Sequence, residues 1–561
     1  MFIPTTRQEL DQLGWQTLDV ILVTGDSYVD SPFVGVAVVG QVLLKAGYRV
    51  GIIAQPDVHS EKDIGRLGEP ELFWGVSGGC IDSMVANYTA TKKRKRSDDL
   101  TPGGRNDRRP NRAVIAYANL IRRYFKETKP IVLGGVEASL RRIAHYDFWS
   151  NSVRRSILFD AKADVLVYGM AEKTVVELAE RLRTEAGIED LRSICYISPE
   201  KRPGCIELLS YAEVARDKRA FAEMFHAFYR NNDPLTAQGL CQQQDTRYLI
   251  QNPPAPYLTQ QELDQVYEMD FERAQHPFYE RLGPVKALET IKFSITTHRG
   301  CYGECNFCSI AVHQGRTVRW RSADSVVRET RRLAAHPDFK GYIQDVGGPT
   351  ANMYGFECQK KLTKGSCEDR RCVYPEICPQ LNPDHSRQLS LLKRLRKVKG
   401  VKKVFVASGV RYDLLLADRK HGVAYLREVV RYHVSGQMKV APEHTVDRVL
   451  RLMGKPGGKA LLKFKELFYR LTKAARKKQF LTYYLIAAHP GCTEQDMRAL
   501  KRFTSRELKI NPEQVQVFTP TPSTYSSLMY HTETDPFSGE RIFVEKETAR
   551  KERQKEIVVG R

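Results

Sequence analysis

Between residues 291 and 520 short runs rich in β-branched and aromatic residues alternate six times with longer helical stretches, and few folds accept that pattern. The runs are "KFSIT" (292–296), "GYIQDV" (341–346), "KKVFVA" (402–407), "QMKVA" (437–441), "LTYYLIAA" (481–488) and "VQVFTP" (515–520). Helical segments such as 322–335 and 460–477 fall between them. Strand, helix and strand at this unit length specify right-handed crossovers between parallel strands. Six units are two fewer than a closed eightfold barrel. The expected fold is therefore a partial (β/α)6 barrel of TIM type, class α/β, with its chemistry in the loops that follow the strands.

A second alternating block precedes it. "VILVTG" (20–25), "RVGIIAQ" (49–55), "LFWGVSGG" (72–79), "PIVLGG" (130–135) and "DVLVYG" (164–169) read as strands of a parallel sheet. Several end in glycine, which permits a tight turn and lets a ligand approach the backbone. Residues 1–192 form the expected first domain, and 193–290, where the pattern turns irregular, reads as a linker that packs on both neighbours. Within it Thr259 and Glu262 have the capping-box spacing that starts a helix. Residues 291–522 carry the barrel, with a cysteine-rich insertion at 351–386. The remainder, 523–561, reads as a C-terminal extension, partly disordered, because "EKETARKERQKEIV" shows no apolar face.

A length of 561 residues exceeds what one hydrophobic core needs, in keeping with several domains. The amino terminus lacks the basic and apolar regions of a signal peptide, and the longest apolar run, 33–44, is broken by Gln41 and too short to span a bilayer. A cytoplasmic location without membrane association is expected. In that setting the 12 cysteines read as reduced thiols or metal ligands rather than disulfides. A formal charge of +22 allows a polyanion such as RNA as partner. Basic runs at 92–96, 393–403 and 476–478 are nevertheless the usual mark of solvated faces, and no zinc-finger or RNP-type signature accompanies them.

Three of the cysteines, Cys301, Cys305 and Cys308, stand in "THRGCYGECNFCSI" (297–310) at the spacing C-x3-C-x2-C, just after the first barrel strand. A closed zinc site needs four ligands, for which His298 or His313 could complete a Cys3His set. A cubane iron-sulfur cluster needs one outside ligand per iron, so three thiolates leave one iron open to an exchangeable ligand. Gly303 suits a loop wrapped round such a cluster or is a generic turn glycine; Phe307 covers the cluster or is a core aromatic. Cys358, Cys367, Cys372 and Cys378, with gaps of eight, four and five residues, are candidates for a second site holding zinc or an auxiliary cluster, or are free thiols.

Cys301, Cys305 and Cys308, with Phe307 before the last, resemble the C-x3-C-x-aromatic-C signature of the radical S-adenosylmethionine (SAM) enzymes. Longer segments, among them "VTGDSYVDSPF", "NYTATKK", "LGGVEASLRRIAHYDFWSNSVRRSILFDAKADVLVYG" and "FTPTPSTYSSLMYHT", look like the YgiQ-type members of that superfamily, a family without an assigned reaction. The resemblance implies a 4Fe-4S cluster on the three thiolates, with SAM held by its amino and carboxylate groups on the open iron. It implies reductive cleavage of SAM to a 5′-deoxyadenosyl radical that takes hydrogen from an unidentified substrate, RNA among the candidates, and a flavodoxin- or ferredoxin-like electron donor. It also places SAM contacts at Gly347 and Gly348, although Pro349 stands where the family has an acid, and at Ser408, Arg411, Lys439 and Glu443. "HPGCTEQD" (489–496) resembles the family's "PGET" segment.

No catalytic side chain is singled out by the resemblance. Methylthio transfer to tRNA is disfavoured, because the upstream cysteines, Cys80, Cys195, Cys205 and Cys241, do not form the additional triad such enzymes carry. The first domain is similar in outline to Rossmann-like cobalamin-binding domains. Asp57-Val58-His59 lacks the following glycine of the Asp-x-His-x-x-Gly motif, so cobalamin is not expected through that ligand, and binding without it stays open. The competing expectation is a non-catalytic, metal-stabilised nucleic-acid-binding protein with zinc and no iron. Oligomeric state is not set by the sequence.

Overall fold

The computed structural model of the chain describes residues 1–560, and they divide into two units. The first comprises Met1–Pro256 with Met269–Lys292, the second Tyr257–Glu268 with Phe293 onward.

In the first unit a nine-stranded sheet runs in the order β7-β8-β9-β6-β5-β4-β3-β1-β2. Its strands are β1 Leu18–Thr24, β2 Val50–Ala54, β3 Pro70–Ser77, β4 Ile131–Gly134, β5 Val165–Val167, β6 Ile194–Ser198, β7 Ile206–Leu208, β8 Leu240–Gln244 and β9 Arg247–Gln251. The first five are parallel, and their spatial order 2-1-3-4-5 is that of a doubly wound fold. Every residue of β2 and nearly every residue of β1 is buried, as expected of parallel strands covered on both faces. Helices α1 Gly35–Lys45, α2 Ala113–Tyr124 and α3 Glu172–Arg183 provide cover.

The stretch 193–290 is not a linker. β6 pairs antiparallel with β5, and β7 to β9 continue the same sheet, while Ala274–Gln275 pairs with Val29–Asp30. Hydrophobic alternation failed there because the inward residues are amides. Gln242 and Gln244 are fully buried and accept from the Ala144 and Ser156 N–H groups (3.0 and 2.9 Å), and Gln251 accepts from Arg142 Nε (3.0 Å). The capping box at Thr259 forms as expected, on a helix of the second unit.

In the second unit, β10 Ser294–Thr296 pairs in parallel with β12 Asp345–Gly347, and β11 Tyr342–Ile343 with β13 Lys403–Val404. A parallel bridge from Val410 to Val440 passes the sheet on to β14 Gln437–Glu443, which is followed by β15 Phe480–Ala487 and β16 Val515–Val517. Six successive strand positions thus lie side by side in chain order, the open partial barrel. Its core packs Ile295, Val346, Val404, Val440 and Leu481 against residues such as Val326, Leu391, Phe464 and Phe468. Val326 lies on α4 Ala323–Ala335, Leu391 on α5 Ser386–Leu395, and Phe464 and Phe468 on α6 Lys459–Ala474.

The C-terminal extension is ordered rather than partly disordered: it forms α7 Tyr525–Thr532 and α8 Thr548–Val559. α8 is anchored by polar groups, which is why it shows no apolar stripe. Buried Lys551 donates to Tyr530 Oη (2.8 Å), and buried Gln554 accepts from the Ala488 N–H (3.0 Å). No helix among the described residues is long and apolar enough to cross a membrane, and none of the cysteines is in a disulfide.

Candidate functional site

The cysteine loop leaves β10 through a short ribbon in which His298–Arg299 pairs with Arg319–Trp320. Gly300 (φ +80°) turns the chain where a Cβ would lie 2.3 Å from the Thr317 carbonyl oxygen, so only glycine fits. The Gly303 N–H then points at Cys301 Sγ (3.3 Å), and the Cys308 N–H donates to the Cys305 carbonyl (2.9 Å). All three cysteines are partly buried. Burial, then repulsion from Cys305 and Cys301, pushes the Cys308 thiol up to about 12; burial and Cys305 also raise Cys301.

Thiols that oppose one another's ionisation become thiolates together only beside a shared cationic partner. A cubane spreads its ligands over separate irons, so it needs thiols arranged around a space rather than converged on a point. Among the described residues no three His, Cys, Asp or Glu side chains stand together as ligands of a single metal ion. His298 is committed elsewhere, with Nδ1 on Thr297 Oγ1 and Nε2 on the Thr350 carbonyl (both 2.9 Å). At Gly303 a Cβ would lie 2.9 Å from Arg411 Nη1 and 3.1 Å from Cys301 Sγ, so the missing side chain keeps the centre of the triad open. The triad therefore fits a cluster held by Cys301, Cys305 and Cys308.

The other barrel loops close on the same end. After β12, the Gly347 carbonyl accepts from the Thr297 N–H (2.7 Å), and Gly348 lies where a Cβ would meet the His298 ring at 2.6 Å. Ser408 bonds Asp345 through both N–H and hydroxyl, which fixes the end of β13 to that of β12. Arg411 is buried, grips Asp413 with Nε and Nη2 (3.0 and 2.6 Å) and brings Nη1 within 3.9 Å of Cys305 Sγ. Burial alone would raise the Asp413 carboxyl; the guanidinium outweighs it and holds it below its ordinary value.

At the end of β14, Glu443 adopts φ +66°, a conformation rare outside glycine, where the register with β15 breaks. Burial raises its carboxyl against the pull of Lys455, 3.9 Å away, and of Arg411. Lys439 is partly buried four residues earlier in β14, and among the described residues its ammonium makes no hydrogen bond or ion pair. Arg411 and Glu443 thus come together with the cysteines, whereas Gly348 and Ser408 brace the loops between them. Asp413 and Lys455 were missed by sequence reasoning. Asp413 carried a faint signal, a carboxylate two residues after Arg411; Lys455, in "GKPGGK", reads as loop surface until the fold buries it.

Phe307 packs with Val449, Met453, Leu485 and Met497, its ring 6.3 Å from that of His489 and edge-on to it. His489 in turn bonds Ser526 Oγ through Nε2 (2.6 Å) and the Pro490 carbonyl through Nδ1 (2.9 Å). Burial pushes His489 down to about 3 and His444 to about 4. A folded pKa below the unfolded value near 6.5 stabilises the neutral form, so this stability is complete above pH 6.5 and lost as pH falls toward 4. Denaturant midpoints measured at pH 7.5 and pH 5 are expected to drop by the equivalent of roughly 2 kcal/mol per buried histidine. His489→Gln is expected to show a smaller drop than the parent.

The insertion does not gather Cys358, Cys367, Cys372 and Cys378 into one ligand set. Cys358 is buried with Tyr302, Val318 and Leu414, and Cys372 packs at the edge of that cluster. Lys361 Nζ stands 3.6 Å from Cys372 Sγ and pairs with buried Glu357 (2.9 Å), while burial pushes Cys372 up to about 12. The insertion instead braces the cluster loop through Arg371. Its Nη1 donates to the Glu304 carbonyl (2.9 Å) and to Asn306 Oδ1 (2.7 Å), and its guanidinium lies 5.3 Å from the rings of Tyr525 and Phe537 in the C-terminal extension. Asn306 also donates from Nδ2 to the Leu452 carbonyl (2.9 Å). Arg371→Ala is expected to halve, or more than halve, the iron retained after gel filtration and to leave secondary structure intact, as read by iron assay and circular dichroism.

Comparison with known proteins matches these features to a family. A Radical SAM N-terminal model matches residues 2–294, and a Radical SAM superfamily model matches 295–504. A UPF0313 protein of Fusobacterium nucleatum subsp. nucleatum is 56% identical over 558 residues, 99% of this chain and 98% of its own. A UPF0313 protein of Thermotoga petrophila is 50% identical over 562 residues, covering 100% of this chain and 98% of its own. Among solved structures, that of the cobalamin-dependent S-adenosylmethionine radical enzyme OxsB with aqua-cobalamin bound aligns with a TM-score of 0.51 at 12% identity, and shares the fold. The alignment covers 92% of this chain and 55% of OxsB. End-to-end identity to these relatives, with both family models accounting for the two units in turn, shows that the chain belongs to the UPF0313 family of radical SAM enzymes.

Proposed function

We propose that this enzyme binds SAM beside a 4Fe-4S cluster on Cys301, Cys305 and Cys308, cleaves it reductively and removes hydrogen from a substrate drawn from RNA. When bound, the cluster supplies the electron that breaks the sulfonium C–S bond to give methionine and a 5′-deoxyadenosyl radical. The observation that carries this reading is the opening in the thiol triad kept by Gly303 and faced by Arg411.

Arg411, locked by Asp413, sets a fixed positive charge against the anionic thiolate assembly. The unpaired Lys439 ammonium suits the carboxylate of SAM, and the Gly347–Gly348 backbone suits its amino group. Glu443, whose carboxyl burial raises, offers a hydrogen bond to a hydroxyl of the nucleoside. Tyr302 and Phe307, each packed in a separate apolar cluster, exclude water from the loop's buried flanks. An electron donor of flavodoxin or ferredoxin type delivers one electron at a time. A cytoplasmic location agrees with 12 unpaired thiols.

No cobalamin step belongs to this reading. At the switch point between β1 and β3, where a doubly wound sheet binds ligands, buried Arg109 fills the crevice, paired with Asp26 (2.6 Å) and Asp98 (2.9 Å) and bonded to the Gly78 carbonyl (2.8 Å).

The test is anaerobic reconstitution, reduction with dithionite and chromatography of the products. Equal amounts of methionine and 5′-deoxyadenosine are expected, with a SAM-dependent change in the electron paramagnetic resonance spectrum of the reduced cluster. Zinc at the triad, or a cluster whose spectrum ignores SAM, would overturn the reading.

A further inference from the structure

Between β3 and α2 the chain runs through residues 78–112 with little regular structure, and yet it is rigidly built from within. Asn87 Nδ2 donates to the Arg109 carbonyl (3.1 Å), and Asn106 Nδ2 donates to the carbonyls of Asn87 and Lys95 (3.1 and 3.0 Å). Asp98 accepts from Thr101 Oγ1 (2.9 Å) and from Arg109 Nη2 (2.9 Å). Antiparallel bridges from Tyr88 to Arg94 and from Ser97 to Arg105 fold the loop on itself. Asn87, Asn106, Asp98 and Arg109 are all buried.

The outer face of this frame is basic. The run Lys92–Arg96 is exposed throughout, and Arg105 and Arg108 are exposed beside it in sequence. Among the described residues none of these cations forms an ion pair with a carboxylate. Those that are held are held by neutral groups: Lys92 by the Trp149 carbonyl (3.2 Å), Arg94 by the Asn106 carbonyl (3.1 Å) and Lys95 by the Val85 carbonyl (2.8 Å). The three held cations are fixed in place, and neutral carbonyls rather than salt bridges fix them. Two partly exposed rings adjoin them: Tyr88 and Trp149 stand 5.6 Å apart, with Arg94 5.9 Å from the Tyr88 ring and Lys92 over Phe148 at 4.9 Å.

Fixed cations without salt bridges match a phosphate backbone, and flat rings among them match unpaired bases. An anionic membrane would use the charge and leave the rings without a role, and a duplex would hide its bases from them. We propose that this loop, with Tyr88 and Trp149, is a binding surface for single-stranded RNA. The proposal deepens the RNA part of the function proposed above and is independent of the SAM chemistry.

The experiment uses the full-length protein and a short fluorescein-labelled single-stranded RNA, with affinity read by anisotropy over a range of salt concentrations. Lys93, Arg96 and Arg105 join the frame through their backbones, but among the described residues no side chain of Lys93, Arg96, Arg105 or Arg108 makes a hydrogen bond or ion pair, so changing all four to glutamate is expected to leave thermal unfolding unchanged. That variant is expected to weaken binding more than tenfold and to flatten the slope of log K against log salt by about 3. Trp149→Ala is expected to weaken binding about tenfold at an unchanged slope, and Trp149→Phe to restore most of it. Formation of 5′-deoxyadenosine in the absence of RNA is expected to be unaffected in every variant.

No binding by the parent protein, or equal binding by parent and variants, would overturn the proposal. So would competition by phosphatidylserine vesicles or heparin as effective as unlabelled RNA, together with no effect of Trp149→Ala. SAM cleavage without RNA binding would remove this surface and leave the radical reading standing; RNA binding without SAM cleavage would do the reverse.

Discussion

Anaerobically reconstituted Cys305→Ala protein is expected to keep its fold and release no detectable 5′-deoxyadenosine. Of the three thiols, Cys305 is the one whose removal isolates ligation from folding. Cys301 accepts from the Gly303 N–H and faces Thr350 Oγ1 (3.8 Å), and a substitution there disturbs the turn. Among the described residues the hydrogen-bond partner of the Cys305 thiol is Arg411, at 3.9 Å, and the residue is partly exposed, so truncation leaves no fully buried cavity. With two thiolates a cubane lacks a protein ligand on two irons, and the assembly that activates SAM does not persist. The measurement pairs product chromatography with circular dichroism. Product at the parental level would show that the triad is not the ligand set, whereas unfolding would make Cys305 structural.

The second large effect is expected at Arg411. Changing it to leucine leaves the buried Asp413 carboxylate without its partner, a loss of about 3–5 kcal/mol. Arg411→Leu combined with Asp413→Leu removes both charges and is expected to recover most of that stability, since an apolar pair of similar size replaces the ion pair. Activity is expected to respond differently. The double variant still lacks the cation beside Cys305, so 5′-deoxyadenosine formation stays at least tenfold below the parent even where the fold is regained. Urea denaturation of the apoprotein and the product assay read the two quantities separately. Restored activity in the double variant would reduce Arg411 to a structural role.

How much was legible in advance differs by element, for a physical reason in each case. The strands 20–25 and 49–55 were plain because buried parallel strands are written as nearly unbroken apolar runs, and 481–488 because buried and partly buried positions alternate along it. β8 and β9 were not, because Gln242, Gln244 and Gln251 are buried by bonding to loops at distant positions in the chain. α8 was misjudged for the same reason: Lys551 and Gln554 are core residues through their partners, not through hydrophobicity. Of the candidate SAM contacts, Arg411 and Glu443 proved to adjoin the cysteines, but the partners that fix their charge, Asp413 and Lys455, could not be paired with them from sequence.

The sequence by itself determined the thiol spacing on which the proposed cluster rests, since spacing within eight residues is a local property, and it determined the strand order of the barrel, since sequential right-handed crossovers leave little choice. Only the tertiary structure decided what the insertion and the C-terminal extension do. Arg371, Asn306 and the rings of Tyr525 and Phe537 meet from segments far apart in the chain, and such contacts leave no periodic trace in any of them. The same holds for the buried ions. A charged residue looks solvated in sequence whether or not the fold brings a counter-charge to it, because its burial is tolerable only through a partner whose position the fold alone supplies.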